Sequence, residues 1–156
     1  MSTTKPSLQE SGTMDERILD HLKRLNRYYL HLLDLKKLSV DDFAKDDIKR
    51  AAAERYLQLA IESCLNIGNR IISLCQFDRP VNTPETYADI FVELNRLGFI
   101  DNDFSERLIK MAKFRNRLVH LYWELDTETV YNIIHANVDD FKLFQEKIVA
   151  KFKILP

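Results

Sequence analysis

Apolar residues recur every three or four positions along most of the chain, which is the helical spacing. Ile18, Leu22, Leu25, Tyr29, Leu32 and Leu33 form the first series and predict a helix from Met14 to about Leu38. Ser39 followed by Asp42 resembles a capping box and starts a short turn of helix through Ala44. A long helix follows, from about Asp46 to Gln76. Its acidic start suits the macrodipole, and Ala52, Tyr56, Leu59, Ile67 and Ile71 are expected to face inward. Pro80 marks a turn. Thr83 and Pro84 then read as N-cap and first residue of a helix over Glu85–Leu97, with Gly98 as its left-handed stop. Asp101 or Asp103 caps a fourth helix reaching at least Arg117. Asp126 and Thr127 open a last one through Val130, Ile134, Val138, Phe141, Ile148 and Phe152. The expected fold is an all-α, up-and-down bundle of about four to five helices over residues 14–156, with residues 1–13 a disordered polar tail.

Composition narrows the class. Average usage would put about 11 Gly and about 8 Pro in such a chain, whereas these 156 residues hold 3 and 4. Sheets with many tight turns need those residues at their corners, so a sandwich or barrel is disfavoured. Gly12, Gly68 and Gly98 lie far apart, which excludes a Gly-rich phosphate loop or a dinucleotide fingerprint. The net charge of −1 gives no global field toward nucleic acid or anionic lipid. Cys64 and Cys75 are eleven residues apart on one helix, roughly 16 Å along its axis, too far for a disulfide. They read as reduced core residues. With no apolar leader-like stretch in residues 1–13 and no run approaching 18 apolar residues, a cytoplasmic protein without a membrane span is expected.

One segment departs from this charge balance. Arg107 to Trp123, RLIKMAKFRNRLVHLYW, holds five Lys or Arg and no acid. Taken alone it reads as a solvated face whose basic end complements the helix dipole. A helical wheel with Arg115 at 0° puts Phe114, Leu118 and Leu121 between about 240° and 300°, a core stripe. Asn116 and His120 fall near 100° and 140°, and Tyr122 near 340°, almost above Arg115. Val119 lies near 40° among polar neighbours, which suits a subunit interface. Arg and His on an exposed basic face are a workable kit for phosphodiester cleavage. His can move the proton of a 2′-hydroxyl near neutral pH, and Arg can stabilise charge on the phosphorane oxygens. One His supplies a single acid or base; a two-fold dimer would bring two into one cleft.

Arg115-Asn116-Arg117-Leu118-Val119-His120-Leu121-Tyr122 resembles the R-x4-H-x-Y motif of HepT-like proteins of the HEPN superfamily. The likeness extends over about residues 14–153, through AAAERYLQLAIESCLNIGNRII, TYADIFVELNRLGFI and HLYWELDTETVYNII. It implies a dimeric helical toxin of a type II-like toxin–antitoxin pair, a metal-independent endoribonuclease with tRNA among its substrates and no cofactor. Carried over, Arg115 and His120 become the catalytic pair and Asn116 the residue that orients the site. Tyr122 matches the tyrosine to which an MntA-type nucleotidyltransferase antitoxin adds AMP. Lys113 and Arg117 are not motif positions and are expected only to contact RNA phosphates. The alternative is a non-catalytic nucleotide-binding or adaptor subunit of a two-component nucleotidyltransferase.

Other residues read as structural. His21 and His31 lack the partners of a zinc site, and His135 reads as a packing residue. Glu54 and Arg55 fit an ion pair or a solvated face. Gly68 marks a close helix–helix approach. The acids Asp41, Asp42, Asp46 and Asp47 belong to helix starts.

Overall fold

The computed structural model describes residues 14–120 and 125–152, and among these every regular element is helical. The seven helices are α1 Glu16–Lys36, α2 Val40–Lys45, α3 Asp47–Cys75, α4 Tyr87–Arg96, α5 Asn102–His120, α6 Thr127–Asn137 and α7 Asp139–Phe152. None is long and apolar enough to cross a membrane. The polar tail expected at residues 1–13 lies outside the described residues.

Local chemistry accounts for most boundaries. Asp15, Ser39, Asp46 and Asp126 each accept a backbone N–H at the start of α1, α2, α3 and α6, meeting donors that the first helical turn leaves without partners. Asp101 does the same for Phe104 ahead of α5. After α4, Gly98 takes φ +90°, a conformation that a Cβ disfavours, and the chain turns into α5.

Three expectations need correction. The helix predicted from Glu85 begins instead at Tyr87. Thr86 and Asp89 form the capping box, while buried Glu93 accepts from the Asn82 amides and holds the preceding loop off the helix. The last predicted helix is two, divided at Val138, so with α2 the described residues hold seven helices rather than about five. In the first half of α3 the inward positions are Ala53, Leu57, Ala60 and Ile61, which are buried; Ala52, Tyr56 and Leu59 are only half-buried. The reason is that α3 is a central element with neighbours on several sides. Its Ile67 and Ile71 are buried as expected.

Helix α1 runs antiparallel to α3: Asp15 pairs with Arg70 at one end and His31 stacks on Tyr56 at the other. Phe91 of α4 meets Phe144 of α7 edge-on, and Ser105 of α5 bonds the Phe91 carbonyl. Tyr29 of α1 donates to Asp139 at the start of α7. His135 stacks on Tyr131 within α6, a packing role as expected. Cys64 and Cys75 are free and buried, and burial pushes both thiols up, away from the thiolate that a nucleophile needs. Gly68 of α3 faces α4 so closely that a Cβ there would lie 2.5 Å from Ile90 Cγ2 and 3.0 Å from Leu94 Cδ1. That contact sets the spacing of α4 on α3, and with it the place of Tyr87.

Candidate functional site

The site forms where the last turns of α5 lie between the middle of α3 and the start of α4. Phe114 and Leu118 are buried, which anchors α5 by the stripe that its spacing predicts. Asn116, Arg117, His120 and Lys113 are exposed and Val119 is half-buried. Leu121 and Tyr122 lie outside the described residues, so the expected position of the tyrosine above Arg115 stays a reading of the sequence.

Arg115 does not project freely from this face. Its side chain keeps 14% of its exposure, and its Nε and Nη2 both donate to Glu62 Oε1 of α3, at 3.1 and 2.7 Å. Gln58 Nε2, one turn earlier on α3, donates to the same carboxylate oxygen at 3.1 Å. The guanidinium carbon stands 4.8 Å from the centre of the Tyr87 ring, the first residue of α4, a cation–π arrangement. Nη1 reaches Asn116 Oδ1 at 3.5 Å, a long contact. Three elements thus fix one guanidinium, with Nη1 its least engaged nitrogen.

His120 differs in every respect. It is the last residue of α5 and exposed, and among the described residues its imidazole makes no hydrogen bond. With Asn116 it lines a surface groove of about 540 Å³, shared with Asn69 of α3 and the Pro84–Tyr87 segment entering α4. A held cation and an exposed imidazole thus stand five residues apart on one helix, and the imidazole lines the groove together with Tyr87, the ring beside the guanidinium. Chemically this pairs charge stabilisation without reorganisation with a side chain of the kind that serves as general acid or base.

The remaining expected residues are less engaged. Arg117 lies 6.0 Å from the Phe114 ring. Its charge adds slightly to the depression of the Asp126 carboxyl, which comes chiefly from the hydrogen bonds of Thr129. Glu54 is half-buried on α3, and burial raises its carboxyl; the acid of α3 that reaches α5 is Glu62, two turns on. Among the described residues no group of His, Cys, Asp and Glu could hold a metal ion. Sequence reasoning missed Glu62, Gln58, Tyr87 and Asn69. All four lie within segments that carry the family likeness or next to them, but their pairing with α5 is long-range and leaves no periodic signal.

A "tRNA nuclease HepT" from Aphanizomenon flos-aquae is 25% identical over 127 residues, covering 81% of this chain and 84% of the relative. An "mRNA nuclease HepT" from Shewanella oneidensis is 30% identical over 95 residues, covering 61% and 68%. Among solved structures, a tri-AMPylated Shewanella oneidensis HEPN toxin in complex with MNT antitoxin superposes with a TM-score of 0.78 at 26% identity. That match covers 88% of this chain and 99% of the toxin. Residues 18–148, which include every helix contributing to the Arg115–His120 site, match the family described as ribonuclease HepT-like, and the chain belongs to that family.

Proposed function

We propose that this protein is a metal-independent endoribonuclease toxin whose catalytic pair is Arg115 and His120. The observation that carries the reading is the contrast between these two side chains: a guanidinium clamped by Glu62 and Tyr87, and an exposed imidazole that makes no hydrogen bond among the described residues and lines a groove with Tyr87. Family membership and the relatives' names, one a tRNA nuclease and one an mRNA nuclease, support RNA as the substrate.

The chemistry follows from the groups. An imidazole takes the proton of a ribose 2′-hydroxyl as its oxygen attacks the adjacent phosphorus. The bond from phosphorus to the 5′-oxygen breaks, and a second acid protonates that leaving oxygen. Products are a 2′,3′-cyclic phosphate and a 5′-hydroxyl end. Arg115 stabilises the charge on the non-bridging oxygens, and Asn116 orients it. The second acid is the partner subunit's His120 in a two-fold dimer. Half-buried Val119 within the motif fits closure by a second copy. Lys113 and Arg117 contact flanking phosphates.

Control follows the solved toxin–antitoxin complex, whose toxin carries AMP: an MntA-type nucleotidyltransferase adds AMP to Tyr122 and occupies the cleft. The protein works in the cytoplasm, where RNA and antitoxin meet. The test is direct. Purified protein incubated with total RNA in EDTA should yield fragments with 5′-hydroxyl ends, and the His120→Ala variant should not. Intact RNA with the wild-type protein, together with stable binding to a nucleotidyltransferase, would favour the adaptor reading instead.

A further inference from the structure

The groove beside His120 holds more than the two catalytic groups need. Its size, about 540 Å³, falls within the range of small-ligand pockets. We propose that it seats one unpaired RNA base next to the scissile phosphate, stacked on Tyr87 and hydrogen-bonded by Asn69. This rests on the ribonuclease reading above and adds to it a substrate class, single-stranded RNA, and a position for base selectivity.

Tyr87 is the first support. A large aromatic residue at the mouth of a groove keeps 44% of its surface exposed, although the core packs many other rings fully. Its orientation is nonetheless fixed, because the Arg115 guanidinium sits 4.8 Å from its ring centre and the Thr86–Asp89 capping box sets the start of its helix. A fixed, exposed ring offers a base a stacking partner with little ordering left to do, and stacking on aromatic side chains is the common way unpaired bases are held.

Asn69 is the second. It is exposed on α3 and lines the same groove, and its amide makes no hydrogen bond among the described residues. An amide presents an acceptor and two donors, the complement of a base edge. Its neighbours are less suited to that work. The Thr86 hydroxyl already accepts from Asp89 N–H, and the Glu85 carboxylate offers acceptors only and repels phosphate. His120 and Asn116 complete the lining, so a base held there leaves its sugar–phosphate beside the imidazole. A base kept inside a duplex could not enter, and this confines cleavage to loops, bulges and single strands.

The experiment maps the cut sites of wild-type protein on total RNA, then synthesises one cleaved 12-nucleotide single strand with an abasic ribose on either side of the cut. Cleavage and equilibrium binding are measured in parallel. Tyr87→Ala should raise KM and weaken binding about 5- to 100-fold, the span of one base–aromatic stack, and Tyr87→Phe should restore both. Removing the base on one side of the cut should weaken wild type by a similar factor and Tyr87→Ala hardly at all. Asn69→Ala should flatten the nucleotide bias at the cut ends. If the abasic and Tyr87→Ala effects multiply independently, or Asn69→Ala keeps the bias, the subsite is overturned. If wild-type protein cuts no RNA, the nuclease reading alone is overturned, and titration of an arbitrary 12-nucleotide single strand, with and without one abasic ribose, against wild type and Tyr87→Ala still decides the subsite. Failure to bind any RNA overturns both.

Discussion

Arg115 and Glu62 come from helices 53 residues apart in sequence, yet both Nε and Nη2 of the arginine bond one oxygen of the glutamate. The pair is neither fully exposed nor fully buried, at 14% and 27% side-chain exposure. In the proposed reaction, holding the guanidinium before substrate arrives would spare its reorganisation, the condition under which such groups act most strongly.

The two catalytic variants should therefore behave differently. On the helical wheel Arg115 and His120 share a face opposite the core, where truncation changes stability by only about ±0.5 kcal/mol. That value holds for exposed His120. For Arg115→Ala, which leaves Glu62 without its cation, a loss of about 1–3 kcal/mol is expected, between an exposed pair and a buried one. Each variant should lower RNA cleavage by roughly 10²-fold or more. Chemical denaturation alongside the cleavage assay checks both. A fully active Arg115→Ala protein would remove Arg115 from the mechanism.

Glu62→Gln separates holding from charge. The amide oxygen still accepts from Arg115, so the fold should survive, while the weaker neutral acceptor loosens the guanidinium. The expected result is a lower kcat with KM little changed, and Glu62→Ala should lose more. Steady-state kinetics on a defined RNA measures the split. A change confined to KM would mean that Glu62 acts on binding rather than on the position of Arg115.

The half of the site that follows from one helix was legible in the sequence. A 3.6-residue period put Phe114 and Leu118 inside and Asn116 and His120 outside, and each lies there. What the wheel cannot carry is what other helices bring, so Arg115 read as free and Glu62, Tyr87 and Asn69 passed unremarked. The fold shows the same division. Val130, Ile134, Val138, Phe141 and Ile148 are all buried, so their period runs unbroken across the junction at Val138 and hides it. The sequence reading places the N-cap of α4 at Thr83, whereas Thr86 and Asp89 form the capping box. The choice of Thr86 over Thr83 accompanies a tertiary contact, Glu93 gripping Asn82.

Gly68→Ala tests the link between packing and site. Alanine gains about 1 kcal/mol of helix propensity. Its methyl would meet Ile90 Cγ2 at 2.5 Å, a branch on a side chain that is stiff within a helix, and overpacking of this kind costs about 1–3 kcal/mol. The net result should be a lower Tm. Because α4 must shift to relieve the contact, and α4 carries Tyr87, cleavage should fall in protein that is still folded. An unchanged Tm would mean that α4 moves freely on α3.

Acid should unfold the protein in two stages. Burial lowers the His21 imidazole, so the unfolded chain takes up that proton first, and stability declines as pH falls below about 6.5. The Arg70 hydrogen bond holds Asp15 below the ordinary carboxylate range, and Arg96 does the same for Glu93. Their contribution is complete above about pH 4.5 and is lost as pH falls through the depressed values. Half-buried Asp140, raised by desolvation, works in the opposite direction and softens this second stage. Denaturant midpoints measured from pH 7 to 3 should show both slopes, and His21→Gln should flatten only the upper one. A single transition confined below pH 4 in wild type would contradict the role given to His21.

The last prediction concerns Tyr122. Two turns beyond Arg115 in the motif, it stands on the wheel almost above a guanidinium whose Nη1 is its least engaged nitrogen. AMP attached to the tyrosine would place a phosphate within reach of that nitrogen or of exposed Arg117, taking the contacts that the scissile phosphate needs. Added negative charge would also repel RNA from a patch that binds by neutralising phosphates. Silencing then requires occupation of the cleft and no refolding. Tyr122→Phe should accordingly fold, dimerise and cleave RNA as wild type does, yet stay active and toxic when co-expressed with an MntA-type nucleotidyltransferase. Mass spectrometry should find the 5′-adenylyl group on wild-type Tyr122 and nowhere on the variant. Equal silencing of the Phe protein, or an adduct on a different residue, would move the switch elsewhere.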